Sequence, residues 1–340
     1  MKALVLERTG EAKDLKNNLV LKEIYKPVPK ENEVLVNIKY ASLNHRDLWI
    51  SKGLYAGIKT PVVLGSDGAG VIADSNGSEF KNGDEVIINP TINWGENEDF
   101  QNKDFSILGL PQNGTLAEFV CVPAKNIYKK PEHLDFKEAC AIPLAGLTAF
   151  RACFVKGKIS KGDNVLITGI GGGVAAFALL YSLSAGANVY VTSGSDEKIE
   201  NAIKHGADGG INYKTENWEK RFKEIHPKIN VVIDGAGGET FVKCLDVCTE
   251  GGTLVSYGAT LGAVKNFEMR KVFWKQLKIL GSTMGSDKDF SDMLNFIEQN
   301  KIVPIRDKEY DLELGADAFL RMESGNQIGK ICLKVQGQMS

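Results

Sequence analysis

The sequence predicts a two-domain α/β chain, in which a β-rich domain is joined to a doubly wound parallel sheet, and three observations carry that reading. At 340 residues the chain is too long for one comfortable core, and 43% hydrophobic with 25% charged residues is ordinary globular composition. Up to about Tyr128 short strand-like runs alternate with turn residues. From about Pro131 the period changes, and apolar strands alternate with helical stretches, as in a parallel sheet covered by helices. The expected division gives residues 1–128 and 267–340 to the first domain and 129–266 to the second.

Taken in order, MKALVL, NEVLVNIKYASL, DGAGVIAD, GDEVIINP and GTLAEFVCVP read as strands punctuated by Gly, Pro and Asn. DFKEACAIPLAGLTAFRACF reads as two helical pieces, and KGDNVLITG as an apolar strand ending in glycine. A small-residue helix (VAAFALLYSLSAG), a strand (NVYVTS), a charged helix (SDEKIENAIKHG) and a strand (NVVIDGAG) follow, then FVKCLDVCTEGG and TLVSYG. KILGSTMGS, DFSDMLNFIEQ and GKICLKV read as strand, helix and strand returning to the first domain. No internal repeat or low-complexity segment interrupts the order.

Lys plus Arg is 41 against 43 for Asp plus Glu, so a net charge of -2 offers no basic field for nucleic acid or an anionic membrane. A small molecule is the expected partner. The opening MKALVLERTG carries charges within its apolar stretch, and no run of about eighteen apolar residues follows, so a cytoplasmic location is expected. Cys121, Cys140, Cys153, Cys244, Cys248 and Cys332 read as reduced core thiols, with Cys244 and Cys248 one turn apart on an apparent helix.

The strand ending at Thr168 runs into GIGGGVA, so Gly169, Gly171, Gly172, Gly173 and Val174 make a glycine-rich turn that opens a helix. Backbone N–H groups and the helix dipole at such a turn meet a pyrophosphate, although glycines also close ordinary strand-to-helix corners. About twenty residues on, an NAD-binding fold places an acid on the ribose 2′-hydroxyl. Here the chain reads TSGSDEK, and Ser193, Gly194 and Ser195 leave the strand without an acid among them. An acid repels a 2′-phosphate, whereas serine hydroxyls and the Lys198 ammonium bind one, so NADPH is the expected cofactor. Lys198 is otherwise a solvated helix lysine, and the helix begun by Asp196 and Glu197 can point those acids outward.

These residues carry a resemblance. SLNHRDLW, GSDGAGVI, GTLAEF, LAGLTAF, VLITGIGGGV, TSGSDEK, HGADGGINY and GKICL stand in the order and spacing of the medium-chain dehydrogenase/reductase superfamily, over essentially the whole chain. Within it the chain resembles the quinone oxidoreductase and zinc-free alcohol-dehydrogenase-like branches. The resemblance implies a GroES-like catalytic domain, a Rossmann domain for the cofactor, and homodimers or homotetramers built on the Rossmann edge. Thr148, Tyr213, Tyr257, Gly258 and Lys330 match cofactor-contact positions; Lys330 then neutralises pyrophosphate charge, or is an ordinary strand-edge lysine.

Zinc-bearing relatives hold the catalytic metal with a cysteine, the His-Glu of a GHE motif, and a further cysteine or acid. The corresponding positions here look like Asn44, Ser66 with Asp67, and Ala145. None of Asn, Ser and Ala is a zinc ligand of the Cys/His kind, and Asp67 alone cannot hold the ion, so no metal is expected. Where relatives carry four closely spaced cysteines, this chain has the cysteine-free loop WGENEDFQNKDF.

Oxidising a simple alcohol means removing a proton of very high pKa, a step that zinc assists by stabilising the alkoxide. Hydride addition to a quinone or an α,β-unsaturated carbonyl leaves a delocalised anion that hydrogen-bond donors stabilise. The expected function is therefore zinc-independent, NADPH-dependent reduction of a quinone or enone. An alcohol or aldehyde dehydrogenase and a non-catalytic NADPH-binding protein are the alternatives. Asn44, Arg46, Trp49 and Tyr55 come from the segment that lines the active site in relatives. Asn44 is expected to donate to the carbonyl oxygen, Tyr55 to donate or relay a proton, and Trp49 to wall an aromatic acceptor; local hydrogen bonding and core packing are the alternatives. Loss of a metal strands Asp67, so Arg46 is expected to pair with it through two hydrogen bonds. His45, His133, His205 and His226 have no expected role beyond structure.

Overall fold

The structure, a computed structural model, describes residues 1–335. It divides into two compact units, one of Met1–Leu147 with Gly285–Ser340 and one of Thr148–Met284. The divisions at 147/148 and 284/285 fall later than the 128/129 and 266/267 expected. Two local interactions account for the shift. Ser42 Oγ in the first unit donates to the Cys140 carbonyl at 2.9 Å, fastening the helix Phe136–Ala139 there. The strand Lys278–Gly281 pairs in parallel with Cys248–Ser256 and so belongs to the second unit.

In the first unit a mixed sheet runs in the order Ile127–Lys129, Glu85–Ile88, Asp67–Asp74, Glu33–Ser42, Lys330–Lys334, Arg306–Asp311, with Phe119–Pro123 also pairing to Glu33–Ser42. Val34, Val36 and Ile38 of the long central strand are fully buried with Leu4, Leu6, Leu116, Phe319, Ile331 and Leu333. Each such aliphatic side chain contributes about 1.5–3 kcal/mol on leaving water. Antiparallel register sets Ser42 opposite both Asp67 and Cys332. The end of the chain thereby lies beside its first third. Gly65, at φ 97°, makes the turn before Ser66 and Asp67; a Cβ there would lie 2.6 Å from Thr115 Oγ1.

The second unit carries six parallel strands in the order Gly209–Asn212, Asn188–Ser193, Asn164–Ile167, Ile229–Asp234, Cys248–Ser256, Lys278–Gly281. Val165, Leu166 and Ile167 are fully buried, as a parallel strand covered on both faces requires. The winding reverses direction between Asn164–Ile167 and Ile229–Asp234, and ligands of such sheets bind beyond the carboxyl ends of strands at that point. Cys244 and Cys248 do not share a helix: the helix Gly238–Val247 stops and Cys248 opens the next strand. Lys275 Nζ closes that helix end by donating to the carbonyls of Leu245, Asp246 and Cys248 at 2.8, 3.1 and 2.9 Å. Among the described residues no helix is long and apolar enough to cross a membrane.

Candidate active site

The second unit presents a nucleotide corner. Thr168 continues the central strand, its N–H bonded to the Ile233 carbonyl at 3.0 Å, and the chain then turns through Gly169 at φ 65° and Gly171 at φ 126°. The helix Gly173–Ser184 opens at Gly172 without a side-chain cap. Its first N–H groups lack intrahelical acceptors and suit an anion. A Cβ on Gly169 or Gly172 would meet nothing within 4 Å, whereas one on Gly171 would lie 2.7 Å from Lys198 Cδ and 2.9 Å from its Nζ. Lys198 therefore lies across the glycine turn. The cradle fits a dinucleotide pyrophosphate.

Ser193 is buried, and its Oγ accepts from the Ser195 N–H at 3.2 Å. A Cβ on Gly194 would lie 2.7 Å from the Tyr213 hydroxyl. Tyr257 folds over Gly235, burial pushes its hydroxyl pKa up, and the Gly258 carbonyl accepts from Ser256 Oγ at 3.3 Å. Thr148 is buried, with its hydroxyl 3.8 Å from Met284 Sδ. Sequence reasoning passed over Asp234, whose only signal is an acid closing the strand before GAGG. Fully buried, it accepts from Thr168 Oγ1 at 2.7 Å and from the N–H groups of Ala236 and Gly237 at 3.2 and 3.1 Å, which ties the glycine turn to the neighbouring strand end. Desolvation raises its pKa against the pull of those donors.

The first unit gathers a buried polar cluster. Asn44 is the N-cap of the helix His45–Ser51, its N–H donating to Asp47 Oδ2 at 2.8 Å in a capping box. Asp67 is fully buried; its Oδ2 accepts from Ser42 Oγ, Asn44 Nδ2 and Lys330 Nζ at 3.0, 2.9 and 2.8 Å, and its Oδ1 from the Leu144 N–H at 2.8 Å. Lys330 Nζ also donates to the Leu43 carbonyl and Asn44 Oδ1 at 2.8 and 2.7 Å, which uses all three of its hydrogens. Burial pushes the pKa of Asp47 up, and the Arg46 charge opposes that.

Two expectations are corrected here. Arg46 does not pair with Asp67: its Nη1 donates to Ser66 Oγ and the Leu108 carbonyl, both at 3.2 Å, and its Nη2 to the carbonyls of Ile107 and Leu110 at 3.2 and 3.0 Å. The guanidinium holds a loop, and Asp67 takes its cation from the far end of the chain. Lys330 does not hold its ammonium free for a pyrophosphate either: the residue is 2% exposed, and its three hydrogens go to the Asp67 carboxylate, Asn44 Oδ1 and the Leu43 carbonyl. Tyr55 is 41% exposed, with the Arg46 guanidinium 5.2 Å from its ring centroid. Trp49 is half-buried and so is not absorbed by the core.

The chain matches the family model described as alcohol dehydrogenase GroES-like domain over residues 30–132 and that described as zinc-binding dehydrogenase over residues 173–299. It is 35% identical to the zinc-type alcohol dehydrogenase-like protein YogA of Leptosphaeria maculans, over 93% of this chain and 94% of that one. A solved structure described as an NAD-dependent alcohol dehydrogenase superposes with a TM-score of 0.92 at 34% identity, covering 99% of this chain and 100% of the other. The 2-octenoyl-CoA carboxylase reductase CinF, solved in complex with NADP and 2-octenoyl-CoA, superposes with a TM-score of 0.88 at 25% identity, over 99% of this chain and 88% of that one.

The word zinc in two of those descriptions calls for a test against the donors present. The cluster offers Ser42, Asn44, Ser66, Asp67 and the Lys330 ammonium, with no thiolate or imidazole among them. Both Asp67 oxygens are already engaged, and a cation 2.8 Å from one of them opposes a second. This donor set does not fit zinc. The residues of the glycine turn, by contrast, do fit a nicotinamide dinucleotide, and with the sequence and structural likenesses they establish the chain as an oxidoreductase of the medium-chain dehydrogenase/reductase superfamily, alcohol-dehydrogenase-like in both its GroES-like and Rossmann units.

Proposed function

We propose that this protein is a cytoplasmic, homo-oligomeric reductase that takes NADPH and passes hydride to a small quinone or α,β-unsaturated carbonyl without a metal. The observation that carries the reading is the closure of Asp67 by Lys330: the acid at the family's metal position already has its cation. A buried ammonium with three committed hydrogen bonds cannot polarise a substrate oxygen as an open zinc does. Acceptors whose reduction leaves a delocalised anion need only hydrogen-bond donors.

The N–H groups at Gly169, Gly171, Gly172, Gly173 and Val174 would hold the pyrophosphate, with Lys198 above them and Thr148, Tyr257 and Gly258 as further contacts. When bound, NADPH supplies the hydride. Tyr55 is the exposed donor for the acceptor's oxygen, with the Arg46 guanidinium 5.2 Å from its ring centroid. Asn44 keeps one amide hydrogen beyond that given to Asp67 and is the second donor. Trp49, half out of the core, offers a flat wall to an aromatic acceptor. The likeness to the reductase solved with NADP and an enoyl thioester supports this reading.

The likeness to the NAD-dependent alcohol dehydrogenase favours a second reading, alcohol oxidation with NAD. A panel of quinones, enals, aldehydes and alcohols, followed by nicotinamide absorbance with and without chelator, separates the two. Chelator-insensitive turnover of quinones or enals with NADPH is expected. Alcohol oxidation that a chelator abolishes would overturn the proposal.

A further inference from the structure

We infer that Asn76 is a site of covalent self-modification, at which the side-chain amide leaves as ammonia and an aspartyl or isoaspartyl residue remains. The chain holds three Asn-Gly dipeptides, at 76–77, 82–83 and 113–114. Glycine has no side chain to shield its own nitrogen, so the nitrogen that follows such an asparagine can reach the side-chain carbonyl carbon. What separates the three is the hydrogen bonding of that nitrogen.

The Gly83 N–H donates to the Ile72 carbonyl at 2.8 Å, and the Gly114 N–H to the Val63 carbonyl at 2.7 Å. Their asparagines are held too: Asn82 Oδ1 accepts from the Ser75 N–H at 2.9 Å, and Asn113 Oδ1 from the Val63 N–H at 3.0 Å. Asn76 and Gly77 are the central pair of a tight turn, at φ 45° and 78°, closed by the Ser78 N–H on the Ser75 carbonyl at 2.8 Å. That turn leaves the Gly77 N–H without an acceptor among the described residues, and both residues are exposed to water. Asn76 Nδ2 donates to the carbonyls of Lys30 and Glu33 at 2.8 and 3.1 Å, but these bonds lie at the surface, where water replaces them and frees the amide to turn.

The Gly77 nitrogen then bonds to Asn76 Cγ, the Cγ–Nδ2 bond breaks, and ammonia departs with the hydrogen that Gly77 gave up. A cyclic imide is left. Water opens it, giving aspartate where the new N–Cγ bond breaks and isoaspartate where the original peptide bond breaks. No electrons are exchanged. Either product loosens the sheet, because an ionised carboxylate only accepts and cannot replace the two bonds that Asn76 donated. Those bonds tie the turn after the strand Asp67–Asp74 to the start of the strand Glu33–Ser42. Asp74 adds repulsion, since its Oδ1 already accepts the residue 76 N–H at 3.0 Å.

The test is incubation of the whole protein in mildly alkaline buffer, with and without urea, followed by peptide mass mapping that separates aspartyl from isoaspartyl forms. In the folded protein Asn76 should lose its amide about tenfold faster or more than Asn82 or Asn113, whose following N–H groups must first open. In urea the three should react at similar rates, each being followed by glycine. Equal rates at the three sites in the folded protein, or an Asn76 that reacts only in urea, would overturn the assignment. Asn76→Asp, made directly, should lower the urea midpoint of unfolding, and a midpoint at or above wild type would overturn the loosening.

Discussion

Replacing Lys330 by Met should destabilise the protein by about 3 kcal/mol, because the change strands a carboxylate that water cannot reach. The Lys330–Asp67 pair is 2.8 Å long, with side chains 3% and 0% exposed. Removing one partner of a buried ion pair costs about 3–5 kcal/mol. Asp67 would keep donors from Ser42, Asn44 and Leu144, which puts the cost at the lower end of that range. Asp67→Asn strands the ammonium instead, at a cost of about 3–5 kcal/mol.

Urea midpoints followed by circular dichroism measure both losses, and the double variant should recover about 1–3 kcal/mol of the summed loss. Deficits under about 1 kcal/mol, or no coupling between the two sites, would refute the reasoning.

Two further outcomes follow from the structure. Elemental analysis of the purified protein should find far less than one zinc per chain, since Lys330 already answers Asp67; about one zinc per chain would contradict that. The strand Lys278–Gly281 leaves one edge of its sheet open, and Phe273 and Trp274 beside it are 63% and 79% exposed. Light scattering should therefore give at least twice the 37.1 kDa chain mass at micromolar concentration, and a monomer would count against it.

Much of the nucleotide corner is legible in the sequence because it is local. The apolar run Val165–Ile167 followed by GIGGGV announces a buried parallel strand, a tight turn and a helix start within ten residues or so. The polar cluster is not legible in that way. Lys330 reaches Asp67 across a separation of 263 residues, and nothing in GKICL says which face of the strand its lysine takes. The true partners of Arg46 are hidden from the sequence because three of its four acceptors are backbone carbonyls, which a sequence does not display.

The bond from Lys330 to Asp67 also orders events on the ribosome. The first unit is completed only by the residues after Gly285, whereas the second is contiguous from Thr148 to Met284. A nascent chain can therefore finish the second unit while Asp67 still waits for its ammonium. Until Lys330 emerges from the exit tunnel, the sheet containing Asp67 lacks both its neighbouring strand and the charge that makes burial of that acid tolerable. Truncation between Met284 and Lys330 should thus yield a folded nucleotide unit attached to an open, aggregation-prone sheet, and cellular proteases would meet that species first.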